Sequence, residues 1–220
     1  MKWFTSDWNL GEDRIGIDGN PNLFYRPFKS IEEQNKTIIN NFINSGFQDG
    51  DELWHLGDVI YKTFDQEFLI DFQSSNYCLS TIRKKFPNSK FNLIVGNYDV
   101  DKLKLLGKYF DLIWNDGGYI HITDDRYTDP YMKVILNHYP STCKERMEKD
   151  ALRMQDSSIA YGNKSVSFAI TGHIHGLWKV QRNMINVGVD AWHFKPVAED
   201  EIKFCWNAMQ KFYDENVFPY

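Results

Sequence analysis

The fold is decided by the stretch Leu53-Trp54-His55-Leu56-Gly57-Asp58-Val59, in which an apolar run ends abruptly at a glycine and a carboxylate. A buried strand that delivers one acid to the edge of a sheet has this pattern. Four other apolar, strand-like runs also end in polar side chains able to bind a metal, at residues 3–9, 93–99, 134–138 and 168–175. Five such endings in one chain predict a common site at the strand ends.

The composition predicts one ordinary globular domain over residues 1–220, since 42% of the 220 residues are hydrophobic and 25% are charged. The net charge of −5 provides no basic field that would hold a long nucleic acid, so none is expected as a partner. A small phosphorylated substrate, such as a nucleotide or a short nucleic acid, remains compatible with this charge because metal ions can supply positive charge locally.

The sequence indicates a cytoplasmic protein without a membrane segment. It does not begin with a basic region followed by an apolar run, and no stretch reaches the roughly 18 apolar residues that span a bilayer. Cys78, Cys143 and Cys205 are far apart and form no CxxC pair, which argues against disulfides and thiolate zinc sites. Nothing in the sequence indicates an oligomeric state.

The first half of the chain alternates strands with helices. Ser30 and Glu33 form a capping box that begins a helix ending at Gly46, a second helical pattern covers residues 65–85, and residues 91–95 are a strand. Residues 12–27, rich in Gly, Asn, Asp and Pro, are predicted to be a loop. This alternation predicts βαβ units and a largely parallel sheet with ligands beyond its strand ends.

The second half predicts hairpins, one joining residues 112–114 to 118–122 and one joining 177–181 to 184–189. The charged connection over residues 141–163 is interpreted as a solvated helix, with a substrate lid as the alternative. A terminal helix begins at Asp200, with Ile202, Trp206 and Met209 facing inward. The chain is therefore expected to be an α/β protein with two sheets packed together.

Oxygen and imidazole donors stand at all of these strand ends. Such donors suit borderline divalent ions such as Mn²⁺, Zn²⁺ or Fe²⁺. Two ions fit better than one, because a carboxylate can bridge ions about 3.5–4 Å apart. Alternate residues of an extended segment face the same side, so both histidines of a His-x-His pair can reach a metal. The six donors are Asp7, Asp58, Asn97, His138, His173 and His175.

In their order, these motifs resemble the calcineurin-like metallophosphoesterase family, in particular its small prokaryotic and phage-type members. The family pattern Asp-x-His, Gly-Asp, Gly-Asn-His-Asp/Glu, a lone His and Gly-His-x-His corresponds here to five segments. They are Ser6-Asp7-Trp8-Asn9, Gly57-Asp58, Gly96-Asn97-Tyr98-Asp99, Asn137-His138 and Gly172-His173-Ile174-His175. The resemblance runs from about residue 3 to about residue 196.

The resemblance implies a four-layer α/β/β/α sandwich with two mixed β-sheets and a dinuclear metal centre. Mn²⁺ is the expected ion, with Zn²⁺, Fe²⁺ and Ni²⁺ as alternatives. It further implies phosphodiester hydrolysis by a hydroxide that bridges the two metals, with Asp58, Asn97, Tyr98 and His138 as the catalytic residues. One metal is assigned to Asp7, Asn9 and His175 and the other to Asn97, His138 and His173, with Asp58 as the bridge.

Two positions depart from the family pattern. Asn9 replaces a histidine ligand, and its neutral amide oxygen is a weaker donor than imidazole, so weaker binding of the ion at Asp7 and His175 is expected. Glu12 could compensate or be an exposed loop acid. Tyr98 replaces the histidine credited with protonating the leaving oxygen, and a phenol with a pKa near 10 shuttles protons poorly at neutral pH. Diesters or anhydrides with good leaving groups are therefore favoured as substrates.

These departures leave a second hypothesis open, in which the chain is a catalytically weakened binding module of the same fold that recognises a nucleotide or a protein. Three further residues carry lesser expectations. His55 is predicted to be a core histidine or a partner behind a ligand. Arg26 is a candidate phosphate contact or an ordinary surface arginine. His193 is a candidate for the wall of the pocket.

Overall fold

The structure is a computed structural model that describes residues 1–12, 26–61, 78–123, 131–140, 168–181 and 183–212. Three sequence predictions lie wholly or mostly outside these ranges: the loop over residues 12–27, the first part of the helix over residues 65–85, and the connection over residues 141–163. Among the described helices, none combines the length and the apolar character needed to cross a membrane.

The first sheet contains the strand that leads to Asp58. Its strands lie in the order β10, β1, β2, β3, β4. β1 (Lys2–Thr5), β2 (Glu52–His55), β3 (Lys90–Ile94) and β4 (Leu112–Trp114) are parallel, and β10 (Val197–Ala198) lies antiparallel to β1. The carboxyl ends of β1, β2 and β3 therefore meet at one edge, as the alternation of the first half predicted.

The second sheet has five strands in the order β5, β6, β7, β9, β8. They are β5 (Gly118–Thr123), β6 (Tyr131–Leu136), β7 (Phe168–Thr171), β8 (Val180–Gln181) and β9 (Met184–Asn186). β6, β7 and β9 are parallel, while β5 and β8 are antiparallel to their neighbours. Both sheets are thus mixed, and the hairpin predicted over residues 177–189 is confirmed as the β8–β9 pair.

The predicted hairpin between residues 112–114 and 118–122 is wrong. β4 pairs in parallel with β3 in the first sheet, whereas β5 pairs with β6 in the second. The intervening turn at Gly117, with φ of 78°, carries the chain from one sheet to the other. A short, turn-rich connection looks the same in a sequence whether it closes a hairpin or joins two sheets.

Four α-helices lie within the described ranges: α1 (Ile31–Ile43), α2 (Leu79–Lys85), α3 (Leu103–Leu106) and α4 (Glu199–Phe212). The cap at Ser30 is confirmed, because the Glu33 backbone N–H donates to Ser30 Oγ at 3.1 Å. The Glu33 carboxylate accepts the N–H of Lys29 at 2.7 Å, one residue before the N-cap N–H that a capping box uses. Ile202 and Met209 of α4 are buried as predicted, and Trp206 stacks on Phe168 with ring centroids 4.9 Å apart.

The two sheets pack face to face. Phe4 and Trp54 of the first sheet share one buried cluster with Val134, Phe168 and Ile185 of the second. A separate cluster joins the other face of the first sheet to helices α1 and α2, and it contains Ile38, Phe42, Leu53, Ile82 and Leu93. Burial of each such large apolar side chain contributes about 1.5–3 kcal/mol. The strand ends are therefore held by two cores rather than by the loops alone.

Candidate metal centre

The loops that follow β1, β2, β6 and β7 are hydrogen-bonded to one another at the carboxyl edge of the sheets. Asp7 N–H donates to Gly57 O at 3.0 Å, and Gly172 N–H donates to His138 O at 3.0 Å. Val189 N–H donates to Ser6 O at 3.1 Å, which links the first sheet to the segment after β9. The structure therefore brings together the five strand endings whose form first indicated a site.

The candidate ligands stand in an unusual backbone conformation. Five of them have positive φ angles: Asp7 at 57°, Asn9 at 46°, Asp58 at 58°, His173 at 70° and His175 at 51°. Asp, Asn and His are the non-glycine residues that tolerate this left-handed region best, yet each still costs free energy of about 1–3 kcal/mol. Such strain is concentrated at functional sites, although His193 and Phe194, which are not candidate ligands, also have positive φ angles.

Four side chains, which we call the Asp58 cluster, bring donor atoms to one point. Ligand atoms of Asp58, His138 and His173 all lie within 4.8 Å of one another. The side-chain oxygen of Asn97 lies 3.2 Å from His138 Nε2 and 3.1 Å from His173 Nδ1. His138 Nε2 is also 3.4 Å from Asp58 Oδ2. One carboxylate, one amide oxygen and two imidazoles are a donor set that borderline divalent ions accept.

Two of these side chains are oriented by backbone groups. His138 Nδ1 lies 2.6 Å from Leu56 O, and since a carbonyl oxygen only accepts, Nδ1 carries the proton and Nε2 is left to face the cluster. Asp58 Oδ1 accepts the backbone N–H of Tyr98 at 2.9 Å. Holding the far side of each ligand in this way is how proteins orient metal ligands.

Asp7, Asn9 and His175, which we call the Asp7 cluster, are the residues that the family resemblance assigns to the other ion. Asp7 accepts the backbone N–H of His173 on both carboxylate oxygens, at 3.1 and 2.9 Å. His175 Nδ1 lies 2.9 Å from Asp190 Oδ2. The side-chain oxygen of Asn9 is buried and has no hydrogen-bond partner among the described residues. A buried acceptor in this state fits a position beside a cation.

Burial makes the ionisation of the two acids and His138 interdependent. Burial and the Asp58 charge raise the pKa of Asp7, although His175 and His138 oppose the shift. Burial also disfavours the Asp58 carboxylate, but His138 outweighs it and lowers the Asp58 pKa. Burial disfavours the His138 imidazolium, yet Asp58 raises its pKa to about 9. A bound divalent cation would replace these protons as the balancing charge.

Glycines leave room for the ligands. A Cβ at Gly57, whose φ is 93°, would lie 2.6 Å from His138 Nδ1, and a Cβ at Gly172 would lie 2.8 Å from Asp7 Oδ2. A Cβ at Gly96 would overlap the Asp58 carboxylate. Glycine is therefore required at all three positions if the ligands are to keep their places.

Asp99 belongs to the site, although the sequence patterns predicted no role for it. Its buried carboxylate accepts the backbone N–H groups of Asp58 at 2.8 Å, Val59 at 2.9 Å and Gly96 at 3.0 Å. Burial and the Asp58 charge raise the Asp99 pKa to about 6. Asp99 thereby joins the turn after β2 to the turn after β3. The only sign of Asp99 in the sequence was its position as the acid that ends the Gly96-Asn97-Tyr98-Asp99 motif.

Arg26 is not the surface residue that one interpretation predicted, since only 3% of it is exposed. Its guanidinium forms an ion pair with Asp190 and donates to the backbone oxygens of Asp7 and Trp8. Burial disfavours the Asp190 carboxylate, but Arg26 and His175 outweigh it and lower the Asp190 pKa. Glu12, interpreted as compensating ligand or exposed acid, is buried with 6% of it exposed.

The remaining predicted residues take other places. Tyr98 contributes its backbone to Asp58, while its ring packs on Tyr61 with centroids 4.8 Å apart. His55 is fully buried beside Trp8, as the core interpretation predicted, and burial lowers its pKa to about 3. The hydrogen bond expected of a core histidine is missing, since neither ring nitrogen has a partner among the described residues. His193 is exposed, and its backbone oxygen accepts the Asn41 side chain at 3.3 Å.

Comparison with known proteins adds the fold but no activity. No family model matches the sequence, and no curated protein matches it. Among solved structures, the chain is similar to AQ665 from Aquifex aeolicus, described as a protein of unknown function. The match has a TM-score of 0.64 and 25% sequence identity, and it covers 93% of this chain and 98% of that chain. The α/β architecture with two sheets is thus supported over nearly the whole length.

Proposed function

We propose that this protein is a metal-dependent phosphoesterase of the calcineurin-like, four-layer type, and that it hydrolyses phosphodiesters of small substrates such as nucleotides. The observation that carries the proposal is the convergence of Asp58, His138 and His173, whose ligand atoms lie within 4.8 Å of one another. The ordered motifs of the sequence support it further, because each of them ends at this same edge of the two sheets.

Both clusters fit divalent ions by the chemistry of their donors. The Asp58 cluster offers a carboxylate, an amide oxygen and two imidazoles, and His138 already turns Nε2 inward. The Asp7 cluster offers a carboxylate, the unpaired amide oxygen of Asn9 and the imidazole of His175. Mn²⁺ accepts this mixture without thiolate, and a bridging Asp58 would serve both ions.

When bound, two divalent ions would neutralise charge on the phosphoryl oxygens and lower the pKa of water. The residues of the chain hold the geometry in which this chemistry occurs. Asp58 is fixed by the Tyr98 N–H on one carboxylate oxygen, and its other oxygen faces His138. Asn97 keeps its amide oxygen between the two imidazoles. Such preorganisation avoids rearrangement when charge develops on the substrate.

The substrate class follows from Tyr98. A phenol can donate a hydrogen bond but is a weaker general acid than the imidazolium that the family pattern places here. Diesters and anhydrides whose leaving groups depart unprotonated suffer least from this replacement. We therefore propose these substrates over unactivated alkyl monoesters.

The test is hydrolysis of bis-p-nitrophenyl phosphate with Mn²⁺, Zn²⁺ or Mg²⁺ by the wild type, by Asp58→Ala and by the control Asp116→Ala. Asp116 is exposed in the turn after β4. Wild type and control should hydrolyse the diester only with metal, and Asp58→Ala should not. Equal rates for wild type and Asp58→Ala would refute the proposal. Metal binding without any hydrolysis would favour a binding module instead.

A further inference from the structure

A buried ion pair joins two segments that are far apart in the sequence. Arg26 Nε lies 2.8 Å from Asp190 Oδ1, and Arg26 Nη2 lies 2.8 Å from Asp190 Oδ2. The side chains are 3% and 10% exposed. Charges are seldom buried to this degree unless both partners are paired and hydrogen-bonded. The pair therefore ties the two segments together inside the protein, which an exposed surface salt bridge would not do.

Each partner also contacts the Asp7 cluster. Asp190 Oδ2 lies 2.9 Å from His175 Nδ1, and Arg26 Nη2 donates to the backbone oxygen of Asp7 at 2.5 Å. Arg26 Nη1 donates to the backbone oxygen of Trp8 at 2.9 Å. The pair thus reaches both the left-handed turn that carries Asp7 and the imidazole of His175.

We propose that the Arg26–Asp190 pair positions the Asp7 cluster for its metal ion. The inference rests on the proposed function, since it assumes that this cluster binds an ion. Neither residue contacts the ion or the substrate in this account. Arg26 and Asp190 act through Asp7 and His175.

Asp190 orients the His175 ring through the 2.9 Å contact between Asp190 Oδ2 and His175 Nδ1. An ionised carboxylate only accepts hydrogen bonds, so His175 must carry its proton on Nδ1, and its Nε2 is left with a lone pair for a metal. A neutral imidazole with the opposite tautomer would offer the ion a proton instead of a donor. The two bonds from Arg26 hold the Asp190 carboxylate in the place that this contact needs.

Arg26 holds the turn that aims the carboxylate. Asp7 and Asn9 have φ angles of 57° and 46°. Residues stay in this left-handed conformation only when contacts from the surrounding structure hold them there. The guanidinium accepts no hydrogen bonds, and its fixed fork binds two carbonyl oxygens and a carboxylate at once. Lysine carries the same charge but cannot span these acceptors. Because Asn9 is a weak donor, the cluster depends more heavily on this orientation than a cluster with three strong ligands would.

The experiment measures Mn²⁺ binding to the full chain by titration, in the wild type, Asp190→Asn and Arg26→Lys. Arg83→Lys is the matched control, since Arg83 also binds a carboxylate in bidentate fashion, with 3.1 and 3.2 Å to Asp111, but is partly exposed. The wild type should bind two ions. In both variants the weaker ion should bind about 10–100-fold less tightly, the range found when a partner behind a metal ligand is lost. The affinity of the stronger ion in both variants, and of both ions in the control, should change less than about twofold.

A second readout needs no metal. The ¹⁵N shifts of the His175 ring in metal-free protein should show the proton on Nδ1 in the wild type and in the control, and a mixture of tautomers in Asp190→Asn. Loss of overall stability alone would not produce this change. If Asp190→Asn does not fold, Arg26→Lys decides the question by the same titration.

The outcomes separate the two proposals. Unchanged binding of both ions in Asp190→Asn and Arg26→Lys, or equal weakening of both ions, overturns the positioning role. Two ions bound with the expected selective weakening, but no hydrolysis of phosphoesters, supports the positioning role and overturns the proposed function. A wild type that binds no Mn²⁺ overturns both.

Discussion

Replacing Asp99 by Asn tests whether one buried carboxylate joins the two turns that carry Asp58 and Asn97. Asp99 Oδ2 accepts two N–H groups, from Asp58 and Gly96, and Oδ1 accepts the third, from Val59. In Asp99→Asn, the side-chain oxygen can accept the N–H groups of Asp58 and Gly96, as Oδ2 does now, but the NH₂ group then faces the N–H of Val59. One buried donor is left unpaired, which costs about 1–3 kcal/mol.

The assay is urea unfolding of the metal-free protein in EDTA. With a slope of about 2 kcal/mol per molar urea, a loss of about 2 kcal/mol lowers the midpoint by about 1 M. The control Asp116→Asn alters an exposed acid and should stay within about 0.5 kcal/mol of the wild type. If the unfolding free energy of Asp99→Asn also stayed within about 0.5 kcal/mol of the wild type, the prediction would be wrong. The three backbone donors would then be satisfied without the carboxylate.

Three other substitutions and conditions give distinct expectations. Gly172→Ala places a Cβ where it overlaps Ser6 Oγ and lies 2.8 Å from Asp7 Oδ2, and should lower the unfolding temperature markedly. Gly50→Ala meets nothing within 4 Å and should cost only the strain of its φ of 98°, about 1–2 kcal/mol. The His138 pKa is raised from 6.5 to about 9 by Asp58, so metal-free protein should be most stable below about pH 6.5 and lose up to about 3 kcal/mol as the pH rises through 9. Mn²⁺ affinity should rise over the same pH window, because the ion competes with that proton. Tyr98→His should increase the turnover of esters with poor leaving groups more than that of esters with good ones.

For each of the three tests, one result would contradict the expectation. Equal unfolding temperatures for the two glycine variants would show that the loop yields easily. Stability of the metal-free protein that is constant from pH 6.5 to 9 would mean that the His138–Asp58 pair is not formed. An equal effect of Tyr98→His on good and poor leaving groups would remove the argument about substrate class.

The sequence predicted the first sheet and the positions of the candidate ligands because both depend on local patterns. An apolar run that ends in Gly57 and Asp58 marks a strand end in any context, and parallel strands bring their ends together. The cap at Ser30 and the inward face of the last helix follow from spacing in the same way. These features need no knowledge of which strands are neighbours.

The failures involve residues that act across the fold. The turn at Gly117 could close a hairpin or join two sheets, and the choice depends on the pairing of β4 with β3. Arg26 looked like a surface residue because its partner, Asp190, is 164 positions away. Asp99 stood at the end of a matched motif, but its role was not predictable, because it binds backbone N–H groups, which every sequence provides. Contacts of this kind become visible only in three dimensions.

The most direct test of the central claim is a crystal structure of the protein soaked in Mn²⁺, with anomalous diffraction measured at the manganese edge. We expect two manganese peaks, one bound by Asn97, His138 and His173 and one bound by Asp7 and His175, with Asp58 contacting both. The second peak should have the lower occupancy, because Asn9 is a weak donor. Crystals that bind no manganese at Asp58 would contradict the account.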